Sequence, residues 1–166
     1  MTTAQDLVHL LTAAGRTIAV AESLTGGMVT DVIVAVPGAS ACLRGGVVAY
    51  ATDVKASVLG VPRDLLDHHG AVHPDVAVAM AAGVRDLLGS DYGIATTGVA
   101  GPMPQDGVTP GTVHVAVVGP DGARCVSPPP VTGGRPEVRL AARDAVLTLA
   151  VDALVGSGTE PDAPVL

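Results

Sequence analysis

The chain has 166 residues, of which 48% are hydrophobic, but it contains no Phe or Trp and only two Tyr. A single domain of this length buries roughly 70% of its unfolded surface without a metal or a disulfide, so Val, Ala, Leu and Ile are expected to build the core. The net charge of −7 disfavours nucleic acids and anionic membranes as partners.

The amino terminus and the cysteines indicate a cytoplasmic protein. No basic residue precedes an apolar core near the amino terminus, which argues against a signal peptide. No apolar run approaches the roughly 20 residues of a membrane span. Cys42 and Cys125 lie far apart in the sequence and outside any metal-type spacing, so two reduced thiols are expected.

The first half of the chain alternates helices with buried strands. Leu7, Leu10 and Leu11 lie at helical spacing before Gly15, which predicts a helix over residues 3–14. The elements predicted next are a strand at 17–21, a helix at 25–36, a strand at 45–50 with Tyr50 at its end, a helix at 53–59 capped by Thr52 or Asp53, and a helix at 62–68.

In the second half of the chain, two predicted helices flank three predicted strands. Pro74 and Gly89 bound a clear helix at 74–88. The remaining predicted elements are a strand at 92–97, a loop at 98–111, a strand at 112–118, its hairpin partner at 123–127 and a helix at 137–155. We therefore expect one layered α/β/α domain over residues 1–155, with a mixed sheet and an antiparallel pair near one edge, and a flexible tail at 156–166.

Residues 21–27, Ala-Glu-Ser-Leu-Thr-Gly-Gly, are the most informative segment. They join a predicted strand to a predicted helix, which places Ser23 at the carboxyl end of a strand, where open α/β sheets bind ligands. The N–H groups of such a turn can bind an anion or an oxyanion. Ser23 can equally serve as a helix N-cap, and Glu22 is expected to pair with a backbone N–H or an arginine.

Lys55 is the only lysine of the chain and the natural candidate for a base. A serine becomes a nucleophile when a base takes its proton, and Ser–Lys pairs are one recurring solution. If Tyr50 ends a strand and Lys55 opens the next helix, both side chains can reach the crevice that holds Ser23. If the two residues are not placed in this way, Lys55 is interpreted as a solvated surface charge and Tyr50 as a packing residue.

Several short motifs follow one another along the chain. They are residues 21–27, Pro-Gly-x-Ser at 37–40, Tyr50 with Lys55, His-Gly-Ala-Val at 69–72, Thr-Gly-Val-Ala-Gly-Pro at 97–102 and Gly-Thr-Val at 111–113. In these motifs the chain resembles the CinA C-terminal domain family, which includes stand-alone nicotinamide-nucleotide amidohydrolases. The resemblance covers about residues 5–155.

The resemblance implies hydrolysis of the carboxamide of nicotinamide mononucleotide to nicotinate mononucleotide and ammonia. It implies Ser23 as the nucleophile, assisted by Lys55 and Tyr50, with a small-molecule nucleotide as substrate. No metal and no redox cofactor is expected for such acyl transfer. A homodimer or a higher homo-oligomer is compatible with the resemblance, and the oligomeric state stays open.

The same resemblance and the turn chemistry together predict the substrate-binding residues. They are Thr25, Gly26, Gly27, Thr97, Gly98, Val99, Gly101 and Arg135. The N–H groups of the turn at 25–27, or of Gly98 and Val99, are the candidate oxyanion donors. Arg135 is the first candidate to hold the phosphate and Arg139 the second, the alternative being a solvated helix face.

Three other interpretations stay open in the sequence. His69 and His73 could share a metal on a helix, although Gly70 and Pro74 interrupt it. A short-chain dehydrogenase needs Tyr-x₃-Lys and a Gly-x-Gly-x-x-Gly turn, neither of which is present. A nucleotide-binding or assembly module could keep the fold without catalysis. The family pattern also differs at Leu24, at His73 and in the loop at 103–107, where glycine is usual.

Overall fold

A computed structural model describes residues 3–156, which form eleven helices and strands and one 3₁₀ turn. The elements in chain order are α1 (Thr3–Ala13), β1 (Ile18–Glu22), α2 (Met28–Val34), the 3₁₀ turn (Ala39–Ala41), β2 (Leu43–Val48), α3 (Thr52–Ser57), α4 (Arg63–His69), α5 (Pro74–Leu88), β3 (Tyr92–Gly98), β4 (Val113–Gly119), β5 (Gly122–Val126) and α6 (Arg135–Gly156). No helix within this span is both long and apolar enough to cross a bilayer.

The five strands form one mixed sheet in the order β2-β1-β3-β4-β5. Strand β1 runs parallel to both of its neighbours, while β4 runs antiparallel to β3 and to β5. The predicted α/β class, the mixed sheet and the antiparallel pair at one edge are therefore confirmed. Because β1, β2 and β3 are parallel, the segments that follow them meet at one edge of the sheet.

Helices cover both faces of the sheet, and the alternation of side chains along β1 shows how. Ile18 and Val20 point into a core shared with α1, α2 and α6. Ala19 and Ala21 point to the other face, into a core shared with α5. The small side chains on that second face let α5 approach closely, and a Cβ at Gly93 of β3 would collide with the Ala81 carbonyl. The core contains Tyr92 as its one buried aromatic ring among the described residues.

Several predicted boundaries were wrong by a few residues, and two of these matter for the site. Helix α2 begins at Met28, not at residue 25, because Gly26 and Gly27 adopt φ values of +60° and +105° and end the preceding turn. Strand β2 ends at Val48, so Tyr50 follows the strand instead of ending it.

The other strands differ from their predicted bounds by one residue at one or both ends, and further differences lie at helix ends. Helix α3 begins at Thr52 with Ala51 in the N-cap position, so neither predicted side-chain cap is used. Helix α6 begins at Arg135, two residues before the predicted start, and extends to Gly156. The rest of the predicted tail, residues 157–166, lies outside the described residues.

Candidate active site

A cavity of about 270 Å³ opens where the parallel strands end. Ser23, directly after β1, lies in its wall, as do Gly98 at the end of β3 and Tyr50 just after β2. Arg135, the first residue of α6, closes one side. The sheet topology therefore brings together residues from four distant parts of the chain.

Ser23 and Lys55 form a buried pair at this cavity. The Nζ of Lys55 lies 2.9 Å from Ser23 Oγ, within hydrogen-bond distance. Ser23 is 8% exposed and Lys55 is completely buried. Lys55 belongs to α3 and is not part of the cavity wall, whereas Ser23 is.

Two backbone carbonyls complete the surroundings of the Lys55 amine. Nζ donates to the carbonyl oxygen of Ala49 at 2.8 Å and to that of Tyr50 at 3.2 Å. Burial lowers the pKa of Lys55 from 10.5 to about 8, because the charged form loses its hydration. A neutral amine retains two N–H bonds. If the two carbonyls take both of them, its lone pair faces Ser23.

The hydroxyl of Tyr50 was expected to be the partner of Lys55, but the structure places it against Arg135. Its backbone carbonyl, not its side chain, contacts Lys55. The phenolic oxygen instead accepts a hydrogen bond of 2.8 Å from Arg135 Nη2, and the residue is 59% exposed. The reason is the early end of β2, which leaves Tyr50 in the connection to α3 with its ring at the mouth of the cavity.

The carboxylate of Glu22 holds the turn that carries Ser23. It is fully buried and accepts hydrogen bonds from the N–H groups of Gly27, Val29 and Thr30 and from the Thr30 hydroxyl, at 2.7 to 3.1 Å. Glu22 thus satisfies the free N–H groups at the start of α2, as the structural interpretation of this residue requires.

Four of the predicted substrate-binding residues are not part of the cavity wall. Thr25 and Thr97 are fully buried; the Thr25 hydroxyl bonds to that of Thr96, and the Thr97 hydroxyl donates to the Ala71 carbonyl. The N–H of Gly26 donates to the Ser23 carbonyl, and that of Gly27 donates to Glu22. Neither glycine N–H is free to act as the expected oxyanion donor.

The other predicted loop residues do line the cavity, namely Gly98, Val99 and Gly101. The N–H of Val99 donates to the Thr112 carbonyl at 2.9 Å, which removes it as an oxyanion donor. Gly98 packs closely: a Cβ there would lie 2.6 Å from the Thr112 carbonyl oxygen. These residues shape the wall, and their main-chain bonds fix its position.

The two candidate phosphate-binding arginines lie in different places, although both belong to the start of α6. Arg135 is exposed at the mouth, where it donates to the Tyr50 hydroxyl and to the Gly101 carbonyl at 3.3 Å. Arg139, one helical turn further, is not part of the cavity wall and donates to the carbonyls of Leu24 and Thr25. Of the two arginines, Arg135 lines the cavity and Arg139 does not.

Several residues that complete the wall were not among the predicted site residues. They are Leu24, Ala51, Thr52, Ala71, Val72, Ala100, Met103 and Gln105. Two of the motifs pointed to parts of this set, because Ala71 and Val72 belong to the segment at 69–72 and Ala100 to that at 97–102. Met103 and Gln105 come from the loop that departs from the family pattern.

The histidines and cysteines lie away from this cavity. The rings of His69 and His73 stack with centroids 4.0 Å apart, and His73 Nδ1 accepts from the N–H of Asp75 at the start of α5. Within residues 3–156, no three His, Cys, Asp or Glu side chains are arranged to hold a metal ion. Cys42 is buried and Cys125 half-buried, and both are free thiols.

The same arrangement of motifs matches a known family over nearly the whole chain. The model of the CinA C-terminal domain family matches residues 1–154. The chain belongs to this family. A CinA-like protein of Frankia casuarinae is 52% identical over 152 residues, covering 90% of this chain and 34% of the relative.

A second relative shows the same relation of lengths. A putative competence-damage inducible protein of Desulforamulus reducens is 46% identical over 152 residues, covering 92% of this chain and 37% of the relative. The chain therefore spans about a third of the length of these curated CinA relatives. Their names specify no chemical reaction.

Solved CinA structures share the fold. A CinA superfamily protein from Klebsiella pneumoniae is 28% identical with a TM-score of 0.88, covering 93% of this chain and 96% of that one. A competence/damage inducible protein from Agrobacterium tumefaciens is 29% identical with a TM-score of 0.84, covering 93% and 97%. The match to chains of nearly the same extent confirms the α/β architecture as that of a CinA domain.

Proposed function

We propose that this CinA domain is a serine amidohydrolase that converts nicotinamide mononucleotide and water to nicotinate mononucleotide and ammonia. The observation that carries the proposal is the buried contact of 2.9 Å between Lys55 Nζ and Ser23 Oγ at the edge of the cavity. An amide is a poor electrophile and needs an activated nucleophile. This pair supplies the nucleophile and its base with no other ionisable side chain between them.

The first step follows from the geometry of the pair. Neutral Lys55 takes the proton of Ser23 while Oγ bonds to the carboxamide carbon, and the carbonyl oxygen becomes an oxyanion. The Lys55 ammonium then gives its proton to the amide nitrogen as the C–N bond breaks, and ammonia leaves. The product on the enzyme is an ester of nicotinate with Ser23.

The second step uses the same groups in reverse. Water takes the place of ammonia, Lys55 removes a proton from it, and the resulting hydroxide attacks the ester carbon. The bond between the carbon and Ser23 Oγ breaks, Oγ recovers the proton from Lys55, and nicotinate mononucleotide leaves. The lowered pKa of Lys55, about 8, keeps a useful neutral fraction near neutral pH.

The mouth of the cavity supports a phosphorylated substrate. Arg135 is the cation in the cavity wall, and its guanidinium is exposed. On a chain of net charge −7, an anion binds only where positive charge is concentrated locally. We assign Arg135 to the phosphate of the substrate, with the Tyr50 hydroxyl as its neighbour at 2.8 Å.

Ammonia release by the purified protein tests the proposal. Nicotinamide mononucleotide, nicotinamide riboside, nicotinamide and the dinucleotide should be compared, with Ser23→Ala as the control for contaminating activity. The expected result is ammonia from the mononucleotide that disappears in the variant. Folded wild-type protein that binds the mononucleotide but releases no ammonia would instead favour the non-catalytic nucleotide-binding module.

A further inference from the structure

Arg139 reaches from α6 to the turn that carries Ser23. Its Nε donates to the Leu24 carbonyl and its Nη2 to the Thr25 carbonyl, both at 2.9 Å. These two oxygens belong to successive peptide groups, and the planar guanidinium holds both at once through two different nitrogens in a fixed geometry. The side chain is half-buried behind the cavity wall.

Together with main-chain bonds, Arg139 completes a set of three restrained carbonyls. The Ser23 carbonyl accepts from the N–H of Gly26 at 3.2 Å, and the Thr25 carbonyl also accepts from the N–H of Met28 at 3.3 Å. Peptide planes are rigid, so each restrained carbonyl also fixes the N–H of the next residue, which lies in the same plane. The bond from Gly26 to the Ser23 carbonyl thereby orients the Leu24 N–H, and Arg139 fixes the two peptide groups that follow it.

Leu24 offers the candidate oxyanion donor that lies next to the nucleophile in the chain. It directly follows the nucleophile and lines the cavity. The N–H groups of Gly26, Gly27 and Val99 already donate to other acceptors. The Ser23 N–H is likewise used, since it donates to the Thr96 carbonyl at 3.1 Å.

We propose that Arg139 is a positioning residue: it holds the two peptide groups that follow the Leu24 N–H, through the Leu24 and Thr25 carbonyls, and thereby keeps this N–H in place to stabilise the oxyanion formed when Ser23 attacks. This inference rests on the proposed amide hydrolysis. It replaces the expectation that Arg139 binds phosphate, and it separates the two arginines by role. Arg135 binds the substrate at the mouth, whereas Arg139 acts on the transition state through the turn.

Steady-state kinetics of Arg139→Ala and Arg139→Lys, with Arg143→Gln as the matched control, test this role. Arg143 lies one turn further along α6 and pairs with Asp144 at 2.7 Å, away from the turn. A misplacement of about 1 Å in an active site costs roughly 100-fold in rate. Arg139→Ala should therefore lower kcat by about 100-fold and change KM less than about threefold. Arg139→Lys should recover part of kcat, since the lysine keeps a charged donor but loses the two-nitrogen fork of the guanidinium.

Circular dichroism and thermal unfolding establish that each variant is folded. If Arg139→Ala does not fold, the kcat of Arg139→Lys relative to Arg143→Gln decides. The proposal is overturned if the folded variants retain kcat within about threefold of wild type, or if KM rises while kcat stays. Failure of the proposed function is a separate outcome, because the wild-type protein would then release no ammonia at all.

Discussion

The only lysine of the chain lies 2.9 Å from Ser23, although 32 residues separate the two in sequence. The contact follows from the parallel pairing of β1 and β2, since each strand ends at the same edge. Ser23 follows β1 directly, and the short connection after β2 leads into α3, which carries Lys55.

Ser23→Ala should lower kcat by roughly 1,000-fold or more, because it removes the nucleophile. The fold should change little, since the Ser23 N–H still donates to the Thr96 carbonyl and the lost side chain is small. Ammonia release and thermal unfolding measure the two effects. A near-normal rate in this variant would falsify the assignment of the nucleophile.

The rate should depend on pH through Lys55. With a pKa of about 8, the amine is mostly protonated at lower pH and cannot accept the Ser23 proton. We expect kcat/KM to rise by about tenfold per pH unit well below pH 8 and to level off above it. Lys55→Arg should be inactive throughout, because a guanidinium stays charged. A flat profile across this range would contradict Lys55 as the base.

The stability of the protein should depend on the same group. In the unfolded chain Lys55 titrates near 10.5, whereas in the folded chain burial lowers its pKa to about 8. Between these values the unfolded state binds the additional proton, so stability rises with pH. Relative to Lys55→Met, the wild type should gain about 3 kcal/mol across this interval. Urea unfolding at the two ends measures it, and a constant difference between the proteins would exclude the shift.

Arg135→Ala should raise KM for nicotinamide mononucleotide much more than KM for nicotinamide riboside, because the riboside has no phosphate to lose. Steady-state assays with both substrates measure this. Tyr50→Phe is the matched variant at the same contact: it removes the hydroxyl that accepts from Arg135 but keeps the carbonyl that holds Lys55. It should therefore retain most of kcat. Equal losses for both substrates in Arg135→Ala would give this arginine a structural role.

Gly98→Ala should disturb the wall of the cavity. The added Cβ would lie 2.6 Å from the Thr112 carbonyl oxygen and 3.0 Å from Leu24 Cδ1, so the backbone or Leu24 has to move. We expect a loss of about 1–3 kcal/mol in stability and at least about a tenfold lower kcat/KM. Gly15→Ala, which is strained by a φ of +61° but far from the site, controls for stability alone. Equal kinetics in the two variants would exclude a special role for Gly98.

Hydrophobic periodicity and turn residues predicted the order of helices and strands and the mixed sheet. They also placed Ser23 at the end of a strand, whereas Lys55 was selected as the only lysine of the chain and through the family resemblance. The direction of the Tyr50 side chain was not predictable, since it depends on the last residue of β2. A shift of two residues there exchanged a side-chain contact with Lys55 for a backbone contact.

The hydrogen-bond acceptors of individual backbone N–H groups were even harder to predict from the sequence. Gly26, Gly27 and Val99 looked like oxyanion donors because glycine-rich turns expose their amides. In the structure those N–H groups donate to the Ser23 carbonyl, to the Glu22 carboxylate and to the Thr112 carbonyl, respectively. Such pairings are set by the tertiary approach of separate segments, which no local pattern encodes. The contacts of Arg139 with the turn are of the same kind.

The complete burial of the single lysine has a practical consequence. A lysine-specific protease has one cleavage site in this chain, after Lys55, and that site is closed in the folded protein. Cleavage into residues 1–55 and 56–166 therefore requires α3 to separate from the sheet. The rate of this single cut would report how often the reaction centre opens, and slowing of the cut by a bound nucleotide would register occupancy without any added label.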